Sequence, residues 1–336
     1  MIEIDHVTKS FRRGGERVRV LDDISLHIRA GAMSAVVGPS GAGKSTLARC
    51  VNLLERPDSG VVRVGSETIT GLRGRRLRAA RRHIGMIFQS SSLLSHRTAA
   101  GNIAFALEVH GIDARQSRRR VSELLERVGL SDHATAYPSQ LSGGQRQRIG
   151  IARALALNPA VLLSDEATSG LDPGTTESIL LLLRELRDDL DLTVLLITHE
   201  MDIARRFCDQ ISLLEDGRLI ETGTTADLAG DARSRLGRLL FPFPPTRPDR
   251  ADEIELTLVL TPDQDMWLSE LTAALGVPVR LLGASIESIG HTTAGAAVIA
   301  VPEGYADKAR LWLHDNGIHV HTRGAPASAP LAGNVS

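Results

Sequence analysis

Cysteine is scarce in this 336-residue sequence: Cys50 and Cys208 are the only two. Their spacing suits neither a zinc site nor a disulfide framework, so both read as reduced and structural. Aromatic residues contribute 3%, and none interleaves with the basic runs at 73–82 and 115–120, as a base-stacking surface would need. Those runs read as solvated helical faces, with a place beside anionic lipid headgroups as the alternative for the first. Long apolar runs are missing too, since the stretches at 179–183 and 193–197 fall far short of the roughly eighteen residues of a membrane span. There is no large charge of one sign. The net charge is −1, with ten acidic and four basic residues in 252–336 against 30 and 35 before it, which gives no nucleic-acid footprint. The start MIEIDHVTKSF carries Glu3, Asp5 and Lys9 where a secretory signal needs an apolar core, so a cytoplasmic location is expected.

What is present is an ordinary globular composition, 42% apolar and 24% charged, over a length that favours two domains. From Ile2 to about Glu221, short β-branched runs alternate with helical patterns, the order of an α/β fold with a mostly parallel sheet. Strands are expected at Met33 to Val37, Ile84 to Phe88, Val161 to Ser164 and Thr193 to Ile197. Four prolines in FPFPPTRPDR mark residues 241–253 as an extended linker that ends a first domain at 240. Beyond it the pattern predicts a strand at Ile254 to Leu260, a helix from near Asp263, strands at Val279 to Ile289 and Ala294 to Val301, a helix at Tyr305 to Asn316 and a strand at Ile318 to Arg323. That βαββαβ order describes a smaller α+β, ferredoxin-like domain over 254–324, followed by an Ala/Pro/Gly-rich tail, 325–336, expected to be disordered. Trp267 and Trp312 fall on its two helices and read as core. His319 and His321 alternate on its last strand, and no carboxylate or cysteine motif completes a metal set with them and His314.

The segment Gly38-Pro39-Ser40-Gly41-Ala42-Gly43-Lys44-Ser45-Thr46 fits GxxxxGK[ST] and lies between an expected strand and an expected helix. Glycines there let backbone N–H groups face phosphates, and the helix N-terminus adds a favourable dipole. Lys44 suits the β and γ phosphates of ATP and the Ser45 hydroxyl suits Mg2+. About 120 residues on, the apolar run at 161–163 leads into Ser164-Asp165-Glu166. Adjacent strand residues face opposite ways, so the two carboxylates are expected to differ in role. Asp165 would hold Mg2+ through water and Glu166 would act as general base. Taken alone, such a run also describes a strand meeting solvent.

Between these elements lies Leu141-Ser142-Gly143-Gly144-Gln145. The order GPSGAGKST, Gln89 after a strand, LSGGQ, LLSDE, SGLD and Thr198-His199 resembles the ATP-binding cassette ATPases over about residues 2–225. The resemblance implies that Phe11 stacks on adenine, a core aromatic being the competing reading, and that Gln89 links γ-phosphate and Mg2+ to a transport partner. It further implies that His199 contacts the γ-phosphate and that Asp172 touches the opposite subunit's site. Ser142, Gly143, Gly144 and Gln145 would cap ATP held by another copy, making a homodimer the minimal active form. NLLERPDSG, DEATSGLDPGTTESILLLLREL and GASIESIGHTTAGAAVIAV further resemble the ATPase subunits of bacterial methionine importers. That likeness implies an ATPase peripheral to the cytoplasmic face of the bacterial membrane. Its partners would be integral membrane permease subunits and an extracytoplasmic substrate-binding protein, and methionine would bind the C-terminal domain as an inhibitor. A dimerisation module without ligand is the other reading of that domain. An importer for another amino acid, or a soluble ABC protein acting on ribosomes or DNA, remain as alternatives for the whole. Two departures stand out: SSSLLSH after Gln89, in the region expected to meet the permease, and Gly170 where alanine is usual.

Overall fold

The computed structural model describes residues 1–89, 91–231, 234–242, 252–260, 266–289 and 292–321. Most of the expected linker (243–251) and all of the expected disordered tail (325–336) lie outside them. The chain divides into two compact units, Met1–Thr224 and Thr225–Ser336.

In the first unit, β1 (Ile2–Arg13) and β2 (Glu16–Ile28) are followed by β3 (Met33–Val37), α1 (Lys44–Val51), β4 (Ser59–Val64) and β5 (Glu67–Thr68). Next come α2 (Gly74–Arg81), β6 (Ile84–Ile87), α3 (Ala99–Val109), α4 (Ala114–Arg127), α5 (Gly143–Ala154), β7 (Val161–Asp165) and α6 (Pro173–Leu190). The unit ends with β8 (Thr193–Ile197), α7 (Met201–Phe207), β9 (Gln210–Glu215) and β10 (Arg218–Thr224). An antiparallel sheet has the order β2-β1-β4-β5, and a six-stranded one has the order β10-β9-β3-β8-β7-β6. Within the second sheet β9, β3, β8, β7 and β6 pair in parallel, and only β10 is antiparallel. Strands β3, β7 and β8 are buried along their whole lengths, which is why they read as continuous apolar runs rather than alternating ones.

This order positions the site. Because β3, β8, β7 and β6 are parallel neighbours, their C-terminal ends share one edge of the sheet, where open α/β sheets bind ligands. The loops leaving that edge carry 38–43 after β3, Glu166 after β7, Thr198-His199 after β8 and Gln89 after β6. Among the described residues no helix is long and apolar enough to cross a membrane. Both cysteines are buried and unbridged, and burial raises both thiol pKa values, Cys50 to about 12.

The second unit contains α8 (Thr225–Gly230), α9 (Arg235–Leu240), β11 (Glu253–Leu260), α10 (Trp267–Leu275), β12 (Arg280–Ile289), β13 (Thr292–Pro302), α11 (Ala306–Asp315) and β14 (His319–His321). Its antiparallel sheet has the order β12-β13-β11-β14, that of a βαββαβ ferredoxin-like unit. The alternating residues Leu256, Leu258 and Leu260 with Ala297, Ile299 and Val301 build a core with Trp267 of α10 and Leu313 of α11. Trp312 packs against that core. The first helix begins at Trp267 rather than near Asp263, which lies outside the described residues.

The unit boundary differs from the expected one at 240. Val259, Ala296, Val298 and Ala300, on the sheet face opposite that core, are also buried. A small cavity there is lined by Leu228, Ala229, Gly237 and Phe241 together with Val259 and Ala296, so residues of α8 and α9 cover that face. Those helices therefore group with the second unit. Hydrophobic patterning of β11 and β13 reveals two buried faces but not which helices cover them.

Candidate functional site

The loop after β3 is walled by backbone. Gly38 has φ +151°, and a Cβ there would lie 2.0 Å from the Leu214 carbonyl oxygen; at Gly43, with φ +105°, it would lie 2.7 Å from the Val20 carbonyl oxygen. Both positions need glycine for space as well as for conformation. Behind the loop the Gly217 N–H donates to the Ala42 carbonyl at 3.2 Å. Gly217 and Leu214 were invisible as part of the site in the sequence; Asp216-Gly217 signals a turn, and nothing local says what the turn packs against.

Lys44 is buried, and its Nζ donates to the Gly38 carbonyl at 2.7 Å and the Pro39 carbonyl at 2.9 Å, spanning the loop it follows. Burial lowers its pKa from the ordinary 10.5, with Glu166 and Asp165 acting in the opposite direction. The next residue, Ser45, donates through Oγ to Asp165 Oδ1 at 2.7 Å. A hydroxyl and a carboxylate in contact beside a buried ammonium form a hard-oxygen donor set suited to Mg2+.

Glu166 is not a strand residue, so strand alternation does not separate it from Asp165. β7 ends at Asp165 and Glu166 adopts φ +48°, a left-handed conformation that residues with a Cβ rarely take and that is found at functional sites. Its N–H donates to the Ile197 carbonyl at 3.0 Å. Its Oε1 lies 3.4 Å from Nδ1 of His199, whose side chain is half exposed. Gln89 Nε2 donates to Ser169 Oγ at 3.3 Å, a partner the motif pattern had not singled out.

A second group of expected residues surrounds the start of α5. Ser142 is its N-cap: Ser142 Oγ accepts from the Gln145 N–H at 3.2 Å while Gln145 Oε1 accepts from the Ser142 N–H at 2.8 Å, a capping box. A Cβ on Gly144 would lie 2.5 Å from Thr175 Cγ2, and one on Gly143 would lie 3.0 Å from Leu171 Cδ2. Asp172 caps α6, accepting from the Thr175 N–H at 3.0 Å and from the Thr175 hydroxyl at 2.6 Å. Those bonds, the hydroxyl's foremost, lower its carboxyl pKa. Gly170, with φ +79° and open space around it, is the natural residue for its turn. Phe11 stands on β1, paired with Val18 of β2, and is half-buried rather than part of the core. Lys9 Nζ lies 4.9 Å from its ring centroid.

Residues 21–169 match the ABC transporter family model. The chain is 49% identical over 320 residues, 95% of its length and 99% of the relative's, to a methionine import ATP-binding protein of Thermobifida fusca. It is 51% identical over 309 residues to one of Rhodococcus jostii, covering 90% of each chain. The chain belongs to the ABC transporter family of ATPases. Among solved structures, the ABC cassette MJ0796, in a dimeric post-hydrolysis state bound to ADP and Pi, superposes with a TM-score of 0.62 at 35% identity, covering 67% of this chain and 99% of that one. A cassette from Clostridium perfringens, cbiO1, part of the transporter complex cbiONQ, matches with a TM-score of 0.62 at 27% identity, covering 71% of this chain and 98% of that one. As an ABC ATPase the chain binds ATP with Mg2+ and hydrolyses it. The lysine-spanned loop and the Ser45–Asp165 pair fit that chemistry without rearrangement of the chain order expected from its motifs.

Proposed function

We propose that this chain is the ATP-hydrolysing subunit of a methionine importer, working as a homodimer on membrane permease subunits fed by a substrate-binding protein at the cytoplasmic face of the membrane. The observation that carries the catalytic reading is the meeting of Ser45, Asp165, Glu166 and His199 at one sheet edge. The substrate rests on the methionine-import naming of relatives that match at least 90% of this chain. Among the described residues no feature favours ribosome or DNA binding. The basic runs are partly structural: Arg81 donates to the Asn52 and Leu53 carbonyls, and Arg120 to those of Leu155 and Ala156.

In this reading the N–H groups of 41–46 and Lys44 grip the triphosphate, and Lys44 exchanges its two carbonyl partners for phosphate oxygens. Ser45 and, through water, Asp165 would hold magnesium, with Gln89 completing the set, and the ion would supply Lewis-acid stabilisation of the charge that develops on the triphosphate. Glu166 accepts a proton from the attacking water, and His199 steadies the γ-phosphate and the Glu166 carboxylate beside it. Phe11 offers its open face to adenine. Ser142, Gly143, Gly144 and Gln145 roof the ATP of the other copy, using the Gly143 and Gly144 N–H groups at the start of α5, since the capping box already engages those of Ser142 and Gln145, and Asp172 reaches the same interface. The domains follow as a cassette, a linker and a regulatory unit of residues 254–324 that binds intracellular methionine and favours the resting state. Methionine must bind that state more tightly than the closed one, since equal affinity shifts nothing.

The test is reconstitution in liposomes with membrane permease subunits of a methionine importer. Accumulation of labelled methionine that requires Mg-ATP, and slowing of ATPase by millimolar methionine, are expected. Transport of a different amino acid in preference to methionine would overturn the substrate, and ATPase indifferent to methionine would overturn the regulatory role.

A further inference from the structure

Two consecutive residues after Gln89, Ser91 and Ser92, have left-handed backbones with φ +52° and +46°. Residues with a Cβ disfavour that region, and a pair of them persists only where the surroundings hold it. What holds it here is an arginine from a distant helix. Arg153, one residue from the end of α5, donates from Nη2 to the Ser91 carbonyl at 2.7 Å and from Nη1 to the Ser92 carbonyl at 2.8 Å. The guanidinium fork reads two successive carbonyls of the turn at once, as lysine with a single point charge would not. The helix also packs on the turn directly, since a Cβ on Gly150 would lie 3.5 Å from that of Ser91, which is itself buried.

Arg153 is held in a costly place. Burial lowers its pKa with no compensating acid, and among the described residues no carboxylate pairs with it. A cation desolvated merely to pack would be a poor choice of residue. The opposite end of the same helix is the N-cap Ser142, about 16 Å away at 1.5 Å per residue. A twelve-residue helix moves as one body, so displacement at its capped end reaches Arg153. From there it passes to the turn, to Gln89 three residues from the second serine, and to Ser169 on which Gln89 rests.

We propose that Arg153 is a positioning residue, tying the helix that starts with Ser142-Gly143-Gly144-Gln145 to the turn that aims Gln89. The tie makes engagement of α5 with nucleotide and placement of Gln89 a single event. It rests on the ATPase reading above for its consequence, though not for its geometry.

The experiment uses the full chain in two measurements. In hydrogen exchange without nucleotide, Arg153→Lys, which keeps the charge and loses the fork, exchanges amides at 91–94 at least about tenfold faster than the native chain. In steady-state hydrolysis, Arg153→Lys lowers kcat about tenfold with KM for ATP unchanged within about twofold, and in a Gln89→Ala background it changes kcat by less than about twofold. Arg153→Ala is expected to exaggerate both, and if it fails to fold the lysine variant still decides. Equal kcat losses in the two backgrounds, or unchanged exchange at 91–94, would overturn the tie. A native chain that hydrolyses no ATP would sink the function proposed above while the exchange result still judged the tie.

Discussion

Ser45 Oγ donates to Asp165 Oδ1 at 2.7 Å, joining two residues 120 positions apart in the chain. One belongs to the first turn of the helix after the phosphate loop and the other is the last residue of β7. β8 lies between β7 and β3, the strand that leads into that helix, so the bond reaches across the C-terminal end of the intervening strand, and His199, which follows β8, lies 3.4 Å from the carboxylate of Glu166 next to Asp165.

Removing the carboxylate from this pair should show first in the metal requirement. Asp165→Asn is expected to raise the Mg2+ concentration for half-maximal ATPase by about 10–100-fold, the scale of losing an outer-shell ligand. A Mg2+ titration at fixed ATP reads it, and a native midpoint in the variant would take Asp165 out of the metal site.

Glu166→Gln keeps the shape and removes the proton acceptor. Steady-state hydrolysis is expected to fall about 10²–10⁴-fold while ATP-bound dimers accumulate in light-scattering chromatography. Hydrolysis near the native rate would assign the base elsewhere, with His199 the next candidate at 3.4 Å.

Lys44 should leave a mark on stability in alkali. Its folded pKa is lowered from 10.5, so between the lowered value and 10.5 the unfolded chain binds more protons than the folded one. Stability contributed by this residue therefore rises with pH across that interval, is constant below it, and levels off above it. Urea unfolding from pH 8 to 11 should show a shallower rise for Lys44→Met than for the native chain. Superimposable pH slopes would contradict the burial argument.

Two positions separate folding from chemistry. Ser142→Ala loses the N-cap of α5 and should cost about 1 kcal/mol of unfolding free energy, whereas Ser142→Thr retains it; a role as nucleotide roof requires the alanine variant to lose far more ATPase than its stability loss explains. Gly170→Ala meets nothing within 4 Å but must adopt φ +79°, so it should cost about 1–2 kcal/mol through backbone strain alone. Chemical denaturation checks both.

The strands β3 and β8 and the glycine-rich loop between β3 and α1 were legible in the sequence, because each is a local rule: glycines before a lysine, and β-branched runs of burial length. Strand β7 was legible too, but not its end. Its expected carboxylate pair looked like alternating strand residues, and the backbone turns left-handed at Glu166 instead, held by a bond to the Ile197 carbonyl on the next strand. Asp172 read only as an interface residue; its capping of Thr175 depends on a helix start that the sequence signals, so that one could have been found.

Local chemistry, then, was written in the order of residues: which loop wraps phosphate, which side chains carry charge, which segments alternate with period two. Neighbourhood was not. That β8 inserts between β3 and β7, that Val20 and Gly217 wall the phosphate loop, that α8 and α9 cover the second sheet and that Arg153 reaches the turn at Ser91 are all contacts between segments far apart in the chain. Many pairings of parallel strands satisfy the same apolar runs, and only the simultaneous packing of every buried face selects one of them.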